Sequence, residues 1–237
     1  MVKNHLKRIF TPKTWPVLRK ENKFITRPNP GGHSFEHSLP LVVVFKDLLG
    51  IASTTREVKF ILNNEEVLIN GRRKRRPEDT FGLMDVLSFP KIKESYRLIL
   101  TSKNILKTIP VSGSDAETIP SKIVKKTYLK GGKVQLSFHN GRNLILDEKE
   151  AKKYALGDTL VLSFKNEIKK HLPLKEGAVV YFIRGSHIGR LGTIKSHENT
   201  IVKVVGKDES GAEEEFETKR DYAFVVGEAG KVSVKIE

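Results

Sequence analysis

Arg72-Arg73-Lys74-Arg75-Arg76 sets five cations in a row with no acid between them. Like charges this close repel one another unless an anion matches them. The run therefore reads as a phosphate clamp before it reads as a solvated loop. Arginine suits that work because its planar guanidinium can donate paired hydrogen bonds to phosphate oxygens. Other groups could do chemistry by residue type but fail on spacing. His33 and His37 stand at i, i+4, yet Ser34 occupies the place where a zinc-protease helix needs Glu, and no third ligand is evident, so a polar loop is expected. Lys130-Gly131-Gly132-Lys133 has no Gly four residues before its Gly-Lys pair, and Val134 follows where a phosphate loop needs Ser or Thr. No Ser, His or carboxylate set pairs a nucleophile with a base. Catalytic residues, resident metal, cofactor and small-molecule substrate are accordingly all expected to be none.

The elements that must position the cations lie on either side of them. In Leu41 to Leu49 the apolar residues at 41, 44, 45, 48 and 49 have helical spacing, which predicts one buried stripe, ended by Gly50. Thr54 stands three residues before Glu57, a capping box that opens a second helix. Val58, Ile61 and Leu62 form its inner face, Asn63-Asn64 closes it, and Arg56 and Lys59 share a side. Glu66 to Ile69 reads as a strand entering an Asn70-Gly71 hairpin turn, which delivers the cations. Pro77 stops the run, and Asp85 to Phe89 reads as the returning strand.

Length and composition bound the rest. A chain of 237 residues suits one to three domains, and 38% hydrophobic content is low for one large core. A formal charge of +15 favours a polyanionic partner, nucleic acid before membrane, since no basic amphipathic helix of membrane-surface type stands out. With no cysteine, disulfides and Cys-ligated zinc are excluded. The longest aliphatic run, Leu41 to Phe45, is too short to span a bilayer. The N-terminal basic residues have no apolar stretch behind them, so no secretory signal is expected. Charge is uneven: residues 1–40 carry net +6, 41–104 net +4, 105–170 net +6 and 171–237 net −1. Nucleic-acid contact is therefore expected mainly before residue 170.

These shifts suggest four segments. Residues 1–40 hold Pro12, Pro16, Pro28, Pro30 and Pro40 with few aliphatics, too little to offset backbone entropy alone. They read as a basic arm, either disordered or ordering on a nucleic acid. Lys3, His5, Lys7, Arg8, Lys13 and Trp15 are its contact candidates, with His5 or Trp15 stacking on a base or packing on a neighbour. Residues 41–104 form the helix-and-hairpin module. Residues 105–170 are β-rich: Lys133 to Phe138 alternates strictly, Asn140-Gly141 turns, Arg142 to Leu146 returns, a short helix is expected from Asp147 to Tyr154, and Thr159 to Phe164 is a further strand. Residues 171–237 contain Lys175 to Ile183 as a strand entry, then Arg184 to Ile194 with glycines at 185, 189 and 192 that let the backbone approach a partner closely. Strands are expected near Ile201 to Val205 and Tyr222 to Val226, and Glu213-Glu214-Glu215 reads as a solvated acidic edge or a face toward a basic partner. The fold class is multi-domain α+β: a helical hairpin with a small sheet, followed by two small barrel-like β domains.

Thr55-Arg56-Glu57, then Val67-Leu68-Ile69-Asn70-Gly71 and a basic segment, resemble the alpha-L RNA-binding motif of ribosomal proteins, pseudouridine synthases and some tRNA synthetases. Carried over from that motif, Arg56, Lys59, Asn70 and the residues after Gly71 are RNA-facing, although Asn70-Gly71 more simply sets the turn. Arg184 to Ile194 resembles the KOW motif of small SH3-like barrels, which makes Arg184, His187 and Arg190 contact candidates. His187-Ile188-Gly189-Arg190 is similar to the adenylate signature of class I tRNA synthetases, but its neighbours are strands and no Lys-Met-Ser-Lys-Ser-like segment exists. The order of basic arm, alpha-L module, β-rich middle and KOW barrel resembles small-subunit ribosomal protein four in its archaeal and eukaryotic form, and the absence of cysteine favours the archaeal form. Leu83-Met84-Asp85-Val86, Val67 to Gly71 and Gly185 to Gly192 carry that likeness best. The resemblance implies a non-catalytic part of the cytoplasmic small ribosomal subunit, whose partners are small-subunit ribosomal RNA and neighbouring ribosomal proteins. A pseudouridine synthase is the enzyme alternative, but Arg97-Leu98 and Arg190-Leu191 are followed by Ile99 and Gly192 where that family needs Asp. A KOW-containing transcription factor is the other alternative, in which an alpha-L module is not expected.

Overall fold

Antiparallel strands are the commonest regular element of the chain, as the alternating stretches require. The computed structural model describes residues 5–198, 200–207, 213–228 and 230–236. They divide into two compact units, one holding the chain up to Leu100 with Asn104–Glu117, the other holding Thr101–Lys103 with the chain from Thr118 on. These are coarser than four segments, and the boundary expected after residue 104 falls in the turn between the paired strands Glu94–Leu100 and Leu106–Val111.

In the first unit a five-stranded sheet runs in the order Arg72–Arg73, Leu68–Ile69, Val86–Phe89, Glu94–Leu100, Leu106–Val111. Two helical elements adjoin it in sequence. The expected 41–49 helix is instead a turn of α-helix, Leu41–Val43, continued by a π-turn, Val44–Leu48, closed by the Leu49 N–H on the Val44 carbonyl at 2.9 Å. All five residues from Leu41 to Phe45 are buried, so there is a buried segment and not one stripe. Gly50 ends it with φ +64°. The second helix, Thr55–Asn64, opens on the expected box: the Glu57 N–H donates to the Thr54 hydroxyl at 3.2 Å, and the Glu57 carboxylate accepts from the Ser53 and Thr54 N–H groups. The N–H of Ser53 and then the Thr54 hydroxyl hold that carboxyl below the usual range. Val58 and Leu62 are buried and Ile61 is half-buried.

The expected N-terminal arm is corrected most. Residues 5–40 are folded into this unit. Leu6–Lys7 pairs with Phe24–Ile25, and Ser38–Pro40 pairs with Thr80–Gly82. The Thr14 hydroxyl donates to the Glu36 carbonyl at 2.5 Å, the Leu106 N–H to the Thr14 carbonyl at 2.8 Å, and the Thr80 hydroxyl to the Asn29 carbonyl at 2.6 Å. Proline-rich chain cannot bury much by itself, but borrowed partners satisfy its backbone groups.

One buried carboxylate joins three parts of this unit. Asp85 Oδ1 accepts from the Asn70 amide at 2.8 Å, and Oδ2 accepts from the Gly82 N–H and meets His33 Nε2, both at 3.0 Å. Burial alone would raise this carboxyl. The His33 ring, by charge and hydrogen bond, with the Asn70 amide and the Gly82 N–H, holds it below the usual range instead. Gly82 has no alternative, because a Cβ there would lie 2.1 Å from the His33 ring.

In the second unit a five-stranded sheet has the order Asn143–Asp147, Lys133–Phe138, Thr118–Leu129, Thr159–Ser163, Ile168–Leu172. The long strand Thr118–Leu129 serves both halves: residues 118–122 pair with Thr159–Ser163, residues 125–129 pair with Lys133–Ser137, and a bulge at Val124 bends it between them. Ile123, Val134, Leu136, Phe138, Leu160 and Leu162 form the core beneath. The expected helix shortens to Glu148–Ala151. A six-stranded sheet follows in the order Glu213–Lys219, Ile201–Lys207, Leu191–Glu198, Val179–Phe182, Ala223–Glu228, Lys231–Val232. Lys122 is buried within this unit, its ammonium donating to the carbonyls of Arg220, Asp221 and Ala223 at 3.1, 2.8 and 2.7 Å. Burial pushes it down to about 8 despite the nearby Asp221.

Replacing Asp85 by Ala is expected to destabilise the protein by about 3–5 kcal/mol in denaturant unfolding, as loss of one partner in a buried charged network does. Because its native carboxyl is depressed, the stability it contributes is present above about pH 3.9 and is lost as pH falls toward the native value. Asp85→Asn should lack that acid-side loss. Lys122 acts in the same direction with pH, in a higher window. Its depressed native value means that stability rises as pH climbs from about 8 toward the ordinary lysine range. A Lys122→Met variant should lack this rise, a difference on the order of 3 kcal/mol by pH 10.5, read from urea midpoints.

Candidate nucleic-acid interface

The cationic run begins in a two-residue hairpin turn. Asn70 and Gly71 have φ of +52° and +74°, and Leu68 and Ile69 pair with Arg73 and Arg72. Asn and Gly tolerate these left-handed angles, and the turn's twist matches its strands. The turn is also anchored by its own side chain. Asn70 Oδ1 accepts from the Val86 N–H at 2.9 Å while its amide donates to Asp85. Both polar ends of Asn70 are thus committed inside the unit.

Arg72, Arg73, Arg75 and Arg76 are exposed, and Lys74 is half-buried with its N–H on the Val67 carbonyl at 2.9 Å. None of the five side chains forms an ion pair among the described residues. Arg73 donates to the Asn63 carbonyl at 3.3 Å, which sets the hairpin beside the last turn of the Thr55–Asn64 helix. Arg56 and Lys59 are exposed on that helix. The run ends at buried Pro77, whose carbonyl accepts from the Val42 N–H at 3.1 Å. Helix and hairpin therefore present their cations from rigid backbone.

The N-terminal candidates separate. His5, Lys7 and Lys13 are exposed, and His5 meets the Phe24 ring edge-on at 5.7 Å. Lys3 lies outside the described residues. Arg8 is corrected: it is 6% exposed, donates to the Leu18 carbonyl and pairs with Glu21 at 2.8 Å and Asp47 at 3.8 Å. Of the two roles expected of Trp15, the structure shows packing on a neighbour: its indole is 4% exposed against Phe35, with Nε1 donating to the Phe35 carbonyl, which leaves no free face for a base. His33 is spent on Asp85, and among the described residues no group of three or more His, Asp or Glu side chains could hold a metal.

In the second unit Arg184 is exposed and Arg190 is half-buried. His187 stacks on Phe216 at 3.7 Å with planes 11° apart, which holds one face of its ring. The close approach expected of the glycines is made by Gly189 to the chain itself: a Cβ there would lie 2.2 Å from the Thr101 carbonyl carbon, and φ is +73°. Glu214, Glu215 and Glu217 are exposed on an outer strand, with Lys195 and Lys203 paired to Glu215 and Glu217. Sequence reasoning missed His33, Asp85 and Lys122 as positioning residues. A lone buried charge leaves no periodic signal, and its partners are distant in sequence.

Fold and surface together define a multi-domain α+β protein that presents, among its described residues, a run of exposed cations on an anchored backbone. Two family models match it, "Ribosomal family S4e" over residues 92–168 and the "RS4NT (NUC023) domain" over residues 2–36. Small ribosomal subunit protein eS4 of Methanospirillum hungatei is 38% identical over 232 residues, 94% of either chain. The eS4 protein of Methanocaldococcus jannaschii is 38% identical over 233 residues, 95% of either chain. The crystal structure of 30S ribosomal protein S4e from Thermoplasma acidophilum superposes with a TM-score of 0.67 at 27% identity, covering 83% of this chain and 98% of that one. The chain belongs to the S4e family of small-subunit ribosomal proteins, in its archaeal type.

Replacing Asn70 by Ala should cost about 1–3 kcal/mol in thermal unfolding, because the Val86 N–H and Asp85 lose a buried partner.

Proposed function

We propose that this chain grips ribosomal RNA of the small subunit through the helix-and-hairpin face of its first unit, with Arg56, Lys59 and Arg72 to Arg76 as the principal phosphate contacts. As a member of its family it is a structural constituent of the cytoplasmic small ribosomal subunit and not an enzyme. The enzyme and transcription-factor alternatives are not favoured. The observation that carries the RNA reading is the hairpin: four exposed arginines on and after a turn locked from behind, with no acid paired to any of them among the described residues. An anchored backbone removes part of the ordering cost of binding, leaving the side-chain entropy of the exposed arginines to be offset by phosphate contact.

The finer division follows the same logic. Residues 41–104 are read as an alpha-L module, with residues 5–40 as a basic extension packed on it. Residues 105–170 and 171–237 are read as two small barrel-like domains, the second of KOW type. His5, Lys7, Lys13 and Arg184 would add peripheral contacts, since all are exposed. Asn70, Arg8 and Trp15 shape the surface from within. Shape, phosphate and 2′-hydroxyl contacts of this kind suit RNA of complex fold. Neighbouring ribosomal proteins are the second partner class, and the acidic outer strand suits a basic one.

Filter binding to a small-subunit ribosomal RNA transcript at graded salt tests the reading. With about six phosphates neutralised, log affinity should fall against log salt with a slope of roughly −4 to −5. Replacing Arg72, Arg73 and Arg75 together by Ala should weaken binding and flatten the slope by about 2 to 3. An unchanged slope would remove the hairpin from the interface.

A further inference from the structure

We propose that Phe60 is a stacking platform for an unpaired nucleobase, set in the middle of the cationic face. The proposal rests on the RNA reading of that face and goes further by naming a contact that reads a base where the cations read phosphate. Phe60 lies on the Thr55–Asn64 helix and is 68% exposed. The buried residues of this helix are Val58 and Leu62, each two positions from Phe60, which places the ring about 200° around the axis from either. The ring therefore points away from the core. Among the described residues it makes no ring–ring or cation–π contact.

The surroundings specify the ligand. Arg56 lies one turn before Phe60, Lys59 is adjacent, Asn63 and Asn64 lie one turn after, and all four are exposed. Arg73 reaches the same end of the helix through the Asn63 carbonyl. A protein partner with an apolar face would call for apolar neighbours around the ring. Here a lone aromatic face is rimmed by cations and amides, and the one carboxylate one turn before it, Glu57, is tied up in the helix cap by Ser53 and Thr54. That pattern fits a molecule that is flat and apolar on its faces and anionic at its edge, which is a nucleotide. Single-stranded segments of folded RNA offer such bases, and aromatic side chains take them by stacking regardless of sequence.

The test uses the full chain and a small-subunit ribosomal RNA transcript from Methanocaldococcus jannaschii, with filter binding at several salt concentrations. Phe60→Ala should weaken binding roughly 5- to 150-fold at fixed salt. Its salt slope should match that of the native chain, because stacking releases no counterions. Phe60→Tyr should restore affinity, and Phe60→Leu should not. Since the side chain is exposed, thermal unfolding of the variants should match the native chain. Native affinity in Phe60→Ala, native affinity in Phe60→Leu, or a flattened slope in Phe60→Ala would each overturn the stacking role. If Phe60→Ala is silent while the triple arginine variant flattens the slope, stacking alone fails and the phosphate clamp stands. If Phe60→Ala weakens binding while the triple variant leaves the slope unchanged, the clamp fails and stacking stands.

Discussion

A carboxylate with no access to water must find partners or give up its charge, and Asp85 has found three. His33, Asn70 and the Gly82 N–H come from the N-terminal segment, the hairpin turn and a neighbouring strand, and they converge on its two oxygens. Each is fixed by what it supplies. The turn cannot swing while Asn70 also holds the Val86 N–H, and the N-terminal segment cannot lift while His33 lies against Gly82. The backbone that carries the exposed cations is anchored by this buried contact. Charged groups at a surface attract phosphate over about 8–10 Å of screened distance, but fixed geometry decides how much of that attraction survives the entropy of binding.

Crowded like charges oppose folding, so a run such as Arg72 to Arg76 is held only if the backbone under it is stabilised elsewhere. Several short-range devices share that load. The capping box stabilises the start of the Thr55–Asn64 helix, Arg73 donates to its last turn, and Pro77 accepts from Val42 just beyond the run. The result is a surface whose repulsion is relieved when an anion arrives.

The second unit uses the converse arrangement. Its buried charge is a cation, Lys122, solvated by three carbonyls around the Arg220–Tyr222 turn. Backbone dipoles here do what carboxylates do for Arg8. A buried ammonium costs stability, which its three carbonyl partners offset in part, and they tie the long bent strand to the Arg220–Tyr222 turn of the six-stranded sheet.

Features encoded within a few residues were legible in the chain. The Thr54–Glu57 box, the Asn70-Gly71 turn, the alternation of Lys133 to Phe138 and the cation run each depend on local geometry, and each stands where spacing placed it. The helix expected from Leu41 to Leu49 was read only in part, because a segment buried all around carries no amphipathic period and its second half is a π-turn. What tertiary structure alone decided is which polar and aromatic side chains face inward. Arg8 and Trp15 look like RNA ligands by type, and His33 looks like a stray loop residue. Their roles come from Glu21, Asp47, Phe35 and Asp85, up to fifty-two positions away in the chain. Periodicity reports where a side chain sits on its own element, whereas the partner that quenches a charge or covers an indole is delivered by the fold.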